Sequence, residues 1–465
     1  MRMKVALFML FAVLAVGPGF AADWPRRPAV VEALIGQAMA GNLALRSQGV
    51  DVEIALVRLR EARSNFQPKI DFAARYTRAD GGRTIDLPIG DLMNPAYDAL
   101  NQLLAANGSA GNFPHVSNQS IALLREREQE TKLTLVQPLY RPEITRGVKA
   151  RRADWESREA QLTAYRRELR FQVEASYYRW VQAETVARIL ESAAAVTAEA
   201  LRTNRSLFSV DKITEDRVLR SEADDLEIQQ QRLEAERDRK LALAYLNFLL
   251  NRPLGTQIAT PATDELAGYV QAVTEISIQN SPQIERREEL VALSKAIEAA
   301  TAAEGVERAR RYPTLALAAE GGIQGEDYRT GHGYNYGMAS LVAQMNIWDG
   351  KALSLRERQV RLERTKLELQ RDQTRQQLAL EAERAADDLR AAIGACQTAE
   401  RRREASARAF EIVSRREREG LASQLSFLDA RSEFTRAELN LEIVRQRLLI
   451  AAAALDRATA ATPLL

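Results

Sequence analysis

Leu135-Val136-Gln137-Pro138-Leu139-Tyr140 stands directly before a long charged helical segment, and Ala343-Gln344-Met345-Asn346-Ile347-Trp348 stands before another, 208 residues further on. Two alternating stretches, each opening a pair of very long helices, imply a chain built twice from one unit. Downstream the register holds, because Val218-Leu219-Arg220-Ser221 matches Phe427-Leu428-Asp429-Ala430 at an offset of 209. Upstream, Asn65-Phe66-Gln67-Pro68 and Arg311-Tyr312-Pro313 end a helix in each copy at an offset of 245, since helices commonly stop before proline. Those helices are expected to begin at Gly41-Asn42-Leu43 and at Asn280-Ser281-Pro282, 239 apart, each behind a polar cap and with Pro282 in the first helical position. The fall from 245 to 208 places about 37 extra residues between the strands of the first copy. The expected organisation is a signal peptide at 1–22, a first repeat at 23–250, a linker at 251–269 and a second repeat at 270–465. Each repeat reads helix, strand, outer loop, strand, helical hairpin.

Within the 465 residues, Arg2 and Lys4, the apolar run Val5 to Val16 and Gly19-Phe20-Ala21-Ala22 have the layout of a secretory signal peptide. Its removal lowers the basic residues from 65 to 63, equal to the 63 acidic ones, so net charge leaves no nucleic-acid footprint. The single cysteine, Cys396, excludes an intramolecular disulfide and reads as a small buried thiol. The mature chain has no apolar run of about 18 residues, which rules out membrane-spanning helices. Entry into a membrane would have to use strands.

Ala352 to Val413 holds no proline and one glycine, Gly394, and reads as a rod of about 90 Å. Leu378, Ala382, Ala385, Leu389, Ala392, Ala395 and Ala399 form an alanine-rich seam, as do Leu441, Val444, Leu448, Ala451 and Leu455 in the last helix. Glu381, Arg384, Asp387, Asp388 and Arg390 make the opposite face solvated. The long helices of each copy meet at 208–214 and 419–423, with Thr214 and Ser423 as N-caps and Gly420 ending a helix.

Ile70, Phe72, Ala74 and Tyr76 alternate with Asp71, Ala73, Arg75 and Thr77, the period of a half-buried strand. Leu133, Leu135 and Leu139 alternate with Lys132 and Thr134, and Leu315, Leu317 and Ala319 with smaller residues. The fourth strand, Tyr334 to Ile347, is less regular, with a register change expected near Ser340. These lengths suit tilted transmembrane strands of about 9 to 11 residues, with Tyr76, Tyr328, Tyr334 and Tyr336 placed for an aromatic girdle. Four strands cannot close a barrel and open edges are not tolerated in lipid, so closure requires other chains; three would supply twelve strands. The fold class is therefore mixed: long α-helical hairpins forming a helical barrel, plus four transmembrane β-strands per chain.

The duplicated order, Gln137-Pro138-Leu139-Tyr140, Asn346-Ile347-Trp348-Asp349-Gly350, Gly420-Leu421-Ala422-Ser423 and Phe427-Leu428-Asp429-Ala430 resemble the TolC family of outer membrane efflux proteins over essentially the whole mature chain. The resemblance implies a homotrimer in the Gram-negative outer membrane, with a twelve-stranded barrel continuous with a helical barrel crossing the periplasm. It implies an exit duct for a tripartite efflux or type I secretion system, docked to a periplasmic adaptor and an inner-membrane pump. By that resemblance Asp429 lines the periplasmic aperture, with Ser426 where relatives carry a second acid. A latch tyrosine and arginine of the family fall here on Glu417 and Ala422, leaving Arg415, Arg416 and Arg418 as replacement donors. The hairpin tips, Val210, Asp211, Lys212, Ile213 and Thr214 with Gly420, Leu421, Ala422 and Ser423, are the expected adaptor contact.

The long outer loop, 80–130, contains Leu92-Met93-Asn94-Pro95 and Tyr97 to Leu104, expected as a short helix over the mouth that constricts the exit or decorates its rim. His115 and His332 fall in outer loops without Cys, Asp or Glu at ligand spacing, and the glycines near Gly321-Gly322 form no phosphate loop. No catalytic residue, metal or cofactor is expected. A pore-less periplasmic coiled-coil scaffold or adaptor is the alternative, although adaptors flank their hairpins with compact β domains whereas these strands lie inside each repeat.

Overall fold

The computed structural model describes residues 24–276 and 284–464. The signal peptide and the cap expected at Asn280-Ser281-Pro282 lie outside the described residues. The first repeat comprises α1 (Ala29–Gly41), α2 (Leu43–Ser64), β1 (Lys69–Arg78), β2 (Thr84–Leu87), α3 (Ile89–Ala106), β3 (Gln119–Ala122), β4 (Arg127–Tyr140), α4 (Pro142–Phe208) and α5 (Glu215–Leu249). The second comprises α6 (Thr263–Thr274), α7 (Glu288–Ala309), β5 (Thr314–Gly325), β6 (Asn335–Gln344), α8 (Ala352–Arg418) and α9 (Gln424–Thr459). Of the segment 251–269 expected as a linker, residues 263–269 already belong to α6.

The duplication is stricter than the sequence offsets imply. Helices α4 and α8 both run 67 residues, offset by 210. Helices α2 and α7 both run 22, offset by 245 at either end. The expected offset of 239 at their starts is corrected because a 3-10 turn, Ile284–Arg286, precedes α7. At the matching point of the first copy Asn42 caps α2 as expected, its Oδ1 accepting from the Leu45 N–H at 3.0 Å.

The described residues fall into two compact units, one of 24–57, 151–276, 284–300 and 362–464, the other of 58–150 with 301–361. The core of the first is built by α1 and α6 against the long helices: Val31, Ile35, Leu169, Val173, Leu246, Val273, Leu389, Leu448 and Leu449 are buried together. Tyr178 stacks on Tyr269 at 6.4 Å within this core. The alanine seam of α8 is buried as expected, with one correction: Cys396 is buried where Ala395 is exposed. Substituting Cys396 for Ala395 turns the irregular end of the seam into a strict alternation of four and three. Burial also pushes the Cys396 thiol up, away from reactivity.

Two arginines and two carboxylates are buried together beside this core. Arg27 donates to Glu174 at 2.8 Å and to Asp456 at 2.5 Å, and Arg170 reaches the same Asp456 oxygen at 2.7 Å. Removing one partner of such a group typically costs about 3–5 kcal/mol by leaving a buried charge uncompensated.

The second unit contains the four-stranded antiparallel sheet, in the order β1-β4-β5-β6. Strand β6 keeps unbroken register with β5 through Ser340↔Ala318, so no register change occurs at Ser340. The irregularity lies instead in β4, between Pro138 and Tyr140, where proline cannot donate to the ladder and a bulge absorbs the extra residue.

Candidate functional site

Because paired residues of an antiparallel ladder share a face, the register sorts the sheet into two surfaces. One carries Ile70, Phe72, Ala74 and Tyr76 of β1, Leu133 and Leu135 of β4, Leu317, Ala319 and Ile323 of β5, and Ala339 and Leu341 of β6. The larger of these lie open in the single chain: Phe72 is 69% exposed and Leu341 65%. The other surface carries Asp71 and Arg75, Glu130, Lys132 and Thr134, Glu320, and Tyr336 and Ser340. Here Arg75 lies 3.1 Å from Glu130, and Lys132 lies 3.0 Å from Glu130 and 3.2 Å from Glu320. The Tyr336 hydroxyl donates to Glu320 at 2.8 Å. The ladder crosses all four strands, and it moves Tyr336 from the expected aromatic girdle to the polar surface.

Exposed aromatics border the helix-proximal ends of the strands: Phe66 before β1, Tyr140 at the end of β4, Tyr312 before β5 and Trp348 after β6, the last 85% exposed. Tyr76 stands on the apolar surface near the loop ends, whereas Tyr328 is engaged with Thr131 at 2.6 Å. One aromatic per strand beside an apolar band is the arrangement of a membrane interface. Strands β1 and β6 each pair on one side, so both sheet edges are open.

The outer loop is more ordered than a decorating helix implies. Strands β2 and β3 pair antiparallel at the base of the loop, and between them α3 runs 18 residues through Pro95. Asn94 holds Val116 by a reciprocal pair of bonds at 2.9 Å, and Asn101 holds Phe113 at 3.1 and 2.9 Å. Tyr97 stacks on Phe113 at 5.3 Å. A Cβ on Gly90 would sit 2.3 Å from the Val116 carbonyl oxygen, so only glycine admits this approach. His115, which has no Cys, Asp or Glu at ligand spacing in the sequence, lies 3.5 Å from Asp98. Among the described residues no group of three His, Cys, Asp or Glu side chains is placed to hold a metal ion.

Both hairpin tips close by the same device. Gly420, with φ of 72°, donates to the Glu417 carbonyl at 2.9 Å while Leu421 donates to that of Arg416 at 2.8 Å. Asp211, with φ of 59°, donates to Phe208 at 2.9 Å while Lys212 donates to Leu207 at 2.9 Å. These are two Schellman turns 209 residues apart, with Asp211 in the left-handed position that Gly420 fills in the second copy. Ser423 caps α9 through Ser426 N–H at 3.2 Å, whereas Thr214 occupies the cap of α5 without a side-chain bond. Val210, Ile213, Leu421 and Ala422 complete the two turns, and Val210 and Leu421 are exposed. Arg415 pairs with Glu411 at 3.2 Å and Arg418 donates to the Ser414 carbonyl at 3.2 Å, both within α8.

Asp429 lies one turn into α9, close enough to Asp224 of α5 to act on it: burial pushes the Asp224 carboxyl up, Glu227 and Asp429 add to this and Arg220 opposes it. The hairpins differ in what joins their helices. Asn204 bonds Ser221 at 2.6 Å and Thr197 bonds Asp225 at 2.8 Å in the first. In the second, Phe410 packs on Phe427 and Phe434, each at 5.7 Å. The aromatic cluster was missed in sequence because Phe410 stands beyond Ala399, where the alanine seam ends, and only the pairing of α8 with α9 brings it to Phe427 and Phe434.

Three helices show exposed apolar rows at heptad spacing. Leu219, Leu226 and Leu233 of α5 are 58–67% exposed, and Leu355, Leu362 and Leu369 of α8 are 60–66% exposed. Leu43, Val50, Ile54 and Val57 of α2 form a third row. Such rows are seams for other helices.

Residues 281–461 match the family described as outer membrane efflux protein. A comparison with curated protein sequences gave no match. Among solved structures the chain is similar to the CmeC outer membrane channel of Campylobacter jejuni, with a TM-score of 0.75 and 16% identity over 93% of this chain and 86% of that one. It is similar to the outer membrane protein VceC of Vibrio cholerae, with a TM-score of 0.70 and 16% identity over 93% and 96%. The open state of the MtrE outer membrane channel of Neisseria gonorrhoeae also matches, with a TM-score of 0.70 and 16% identity over 95% and 94%. Residues 281–461 are thus similar to outer membrane efflux proteins, and the chain as a whole has the fold of these outer-membrane channels.

Proposed function

We propose that this protein is an outer-membrane exit duct that passively conducts substrates delivered by a pump and an adaptor across the periplasm and the outer membrane. The observation that carries this is the sheet, with one surface apolar and the other charged, both open, and both edges unpaired. In lipid such a sheet is stable only as part of a closed barrel with its apolar surface outward. One chain supplies four strands, and three copies close a twelve-stranded barrel whose antiparallel β1-to-β6 seams use up every edge. The exposed apolar rows of α2, α5 and α8 meet neighbouring copies in the same trimer.

Within this duct Asp429, with Ser426 one turn before it, lines the periplasmic aperture in three copies, where converging carboxylates favour cations. The tips at Val210 to Thr214 and Gly420 to Ser423 meet the adaptor. Arg415, Arg416 and Arg418 lie at the end of α8 beside this gate, and an adaptor that binds the open arrangement better shifts the tips toward it. The experiment is extraction followed by native mass measurement, on wild type and Leu226→Glu. The duct requires detergent and yields three chains, which the mid-seam charge dissociates; a salt-washed species with the mass of one chain in both variants contradicts it.

A further inference from the structure

We infer that Lys132 sets the ionic selectivity of the β-barrel section, by holding the lumen there at charge balance so that solutes of either sign pass. This rests on the reading of the sheet as one third of a barrel wall. At one level of that wall, three same-face rungs deep, stand Arg75, Glu130, Lys132 and Glu320, two cations and two carboxylates, tied together through distances of 3.1, 3.0 and 3.2 Å. Lys132 is the member that touches both carboxylates, and it is less exposed than Arg75, at 28% against 66%. The backbone is cut to fit it. Gly322 sits opposite Lys132, and a Cβ there would come within 2.9 Å of the Lys132 Cβ and 2.2 Å of the Thr131 carbonyl oxygen. The ammonium therefore reaches from β4 to Glu320 of β5 beside a residue with no side chain, and Glu320 is itself fixed by Tyr336 at 2.8 Å and Thr134 at 3.4 Å.

Loss of one Lys132 leaves that level one negative charge per chain, so a ring of three chains carries three. Loss of Glu320 leaves three positive charges instead. Fixed charge lining a pore draws in counter-ions, and at about 0.01 M salt, where screening reaches about 30 Å, the field of such a ring fills the lumen. On the same surface the pair Lys69 and Asp71, 3.6 Å apart, and Glu128 opposite Thr77 are the same in every variant, so they offset neither change.

The test is the reversal potential of the full-length trimer in planar bilayers under a low-salt gradient, with Asp429→Ala in every variant so that the aperture adds no charge of its own. Lys132→Gln is expected to raise the cation-to-anion permeability ratio several-fold, Glu320→Gln to lower it, and the double variant to return it to the starting value. Opposite shifts from residues 3.2 Å apart, cancelling in combination, are not produced by general loosening of the sheet. Channels whose reversal potential is the same in all variants overturn the role of Lys132 while leaving the duct intact. Absence of conductance in every variant overturns both.

Discussion

At the scale of single residues the hairpin ends carry the consequences that can be read most directly. Asp224 is held up by burial and by the carboxylates of Glu227 and Asp429. A carboxyl raised in the folded state favours folding below its unfolded value near 4 and loses that contribution as pH rises. Asp429→Asn removes part of the repulsion. Its melting temperature should therefore exceed that of wild type at pH 7, with the difference vanishing below about pH 4, as followed by circular dichroism. Gly420→Ala forces a Cβ into the left-handed region and should cost the second hairpin about 1 kcal/mol, whereas Asp211→Gly should leave the first within about 0.5 kcal/mol; denaturant titration of each variant separates them. Gly420 was legible as a helix end from its type alone. Asp211 was not, because aspartate adopts positive φ only where the surrounding turn imposes it. Tyr336 shows the same limit: its type suits an interface, and only the register of β6 against β5 turns it toward Glu320.

Among the elements, those fixed by local periodicity were visible and those fixed by partners were not. Strand β1 and the seams of α8 and α9 follow from alternation and heptad rhythm. The exposed rows of α5 and α8 obey the same rhythm, but nothing local distinguishes a seam filled within the chain from one filled by another copy. The segment around α3 was legible as a helix and no more, since the side-chain clamps of Asn94 and Asn101 join residues 22 and 12 positions apart. Each clamp replaces a strand's worth of backbone pairing for one residue, so their joint loss should free the chain between them. Asn94→Ala with Asn101→Ala is expected to make residues 108–118 the first site of limited proteolysis on the intact trimer, with trimer mass unchanged. Equal resistance in the variant and wild type would mean that Tyr97 and Phe113 hold the segment without them.

For the whole molecule the duplicated order indicated a fold that one chain cannot complete, and the structure supplies the reason in physical terms: open edges, bare leucine rows and two exposed sheet surfaces of opposite character. The bulge at Pro138, the aromatic row from Phe66 to Trp348 and the charged ladder were hidden because each depends on which strand lies beside which. The assignment of one surface to lipid and the other to water decides everything above it. It is tested by placing a single cysteine at Phe72 or at Thr134, each with Cys396→Ser, and labelling the reconstituted trimer with a charged, water-soluble maleimide. Phe72→Cys should stay unlabelled while Thr134→Cys reacts; labelling of Phe72→Cys with protection of Thr134→Cys would contradict a barrel with this inside and this outside.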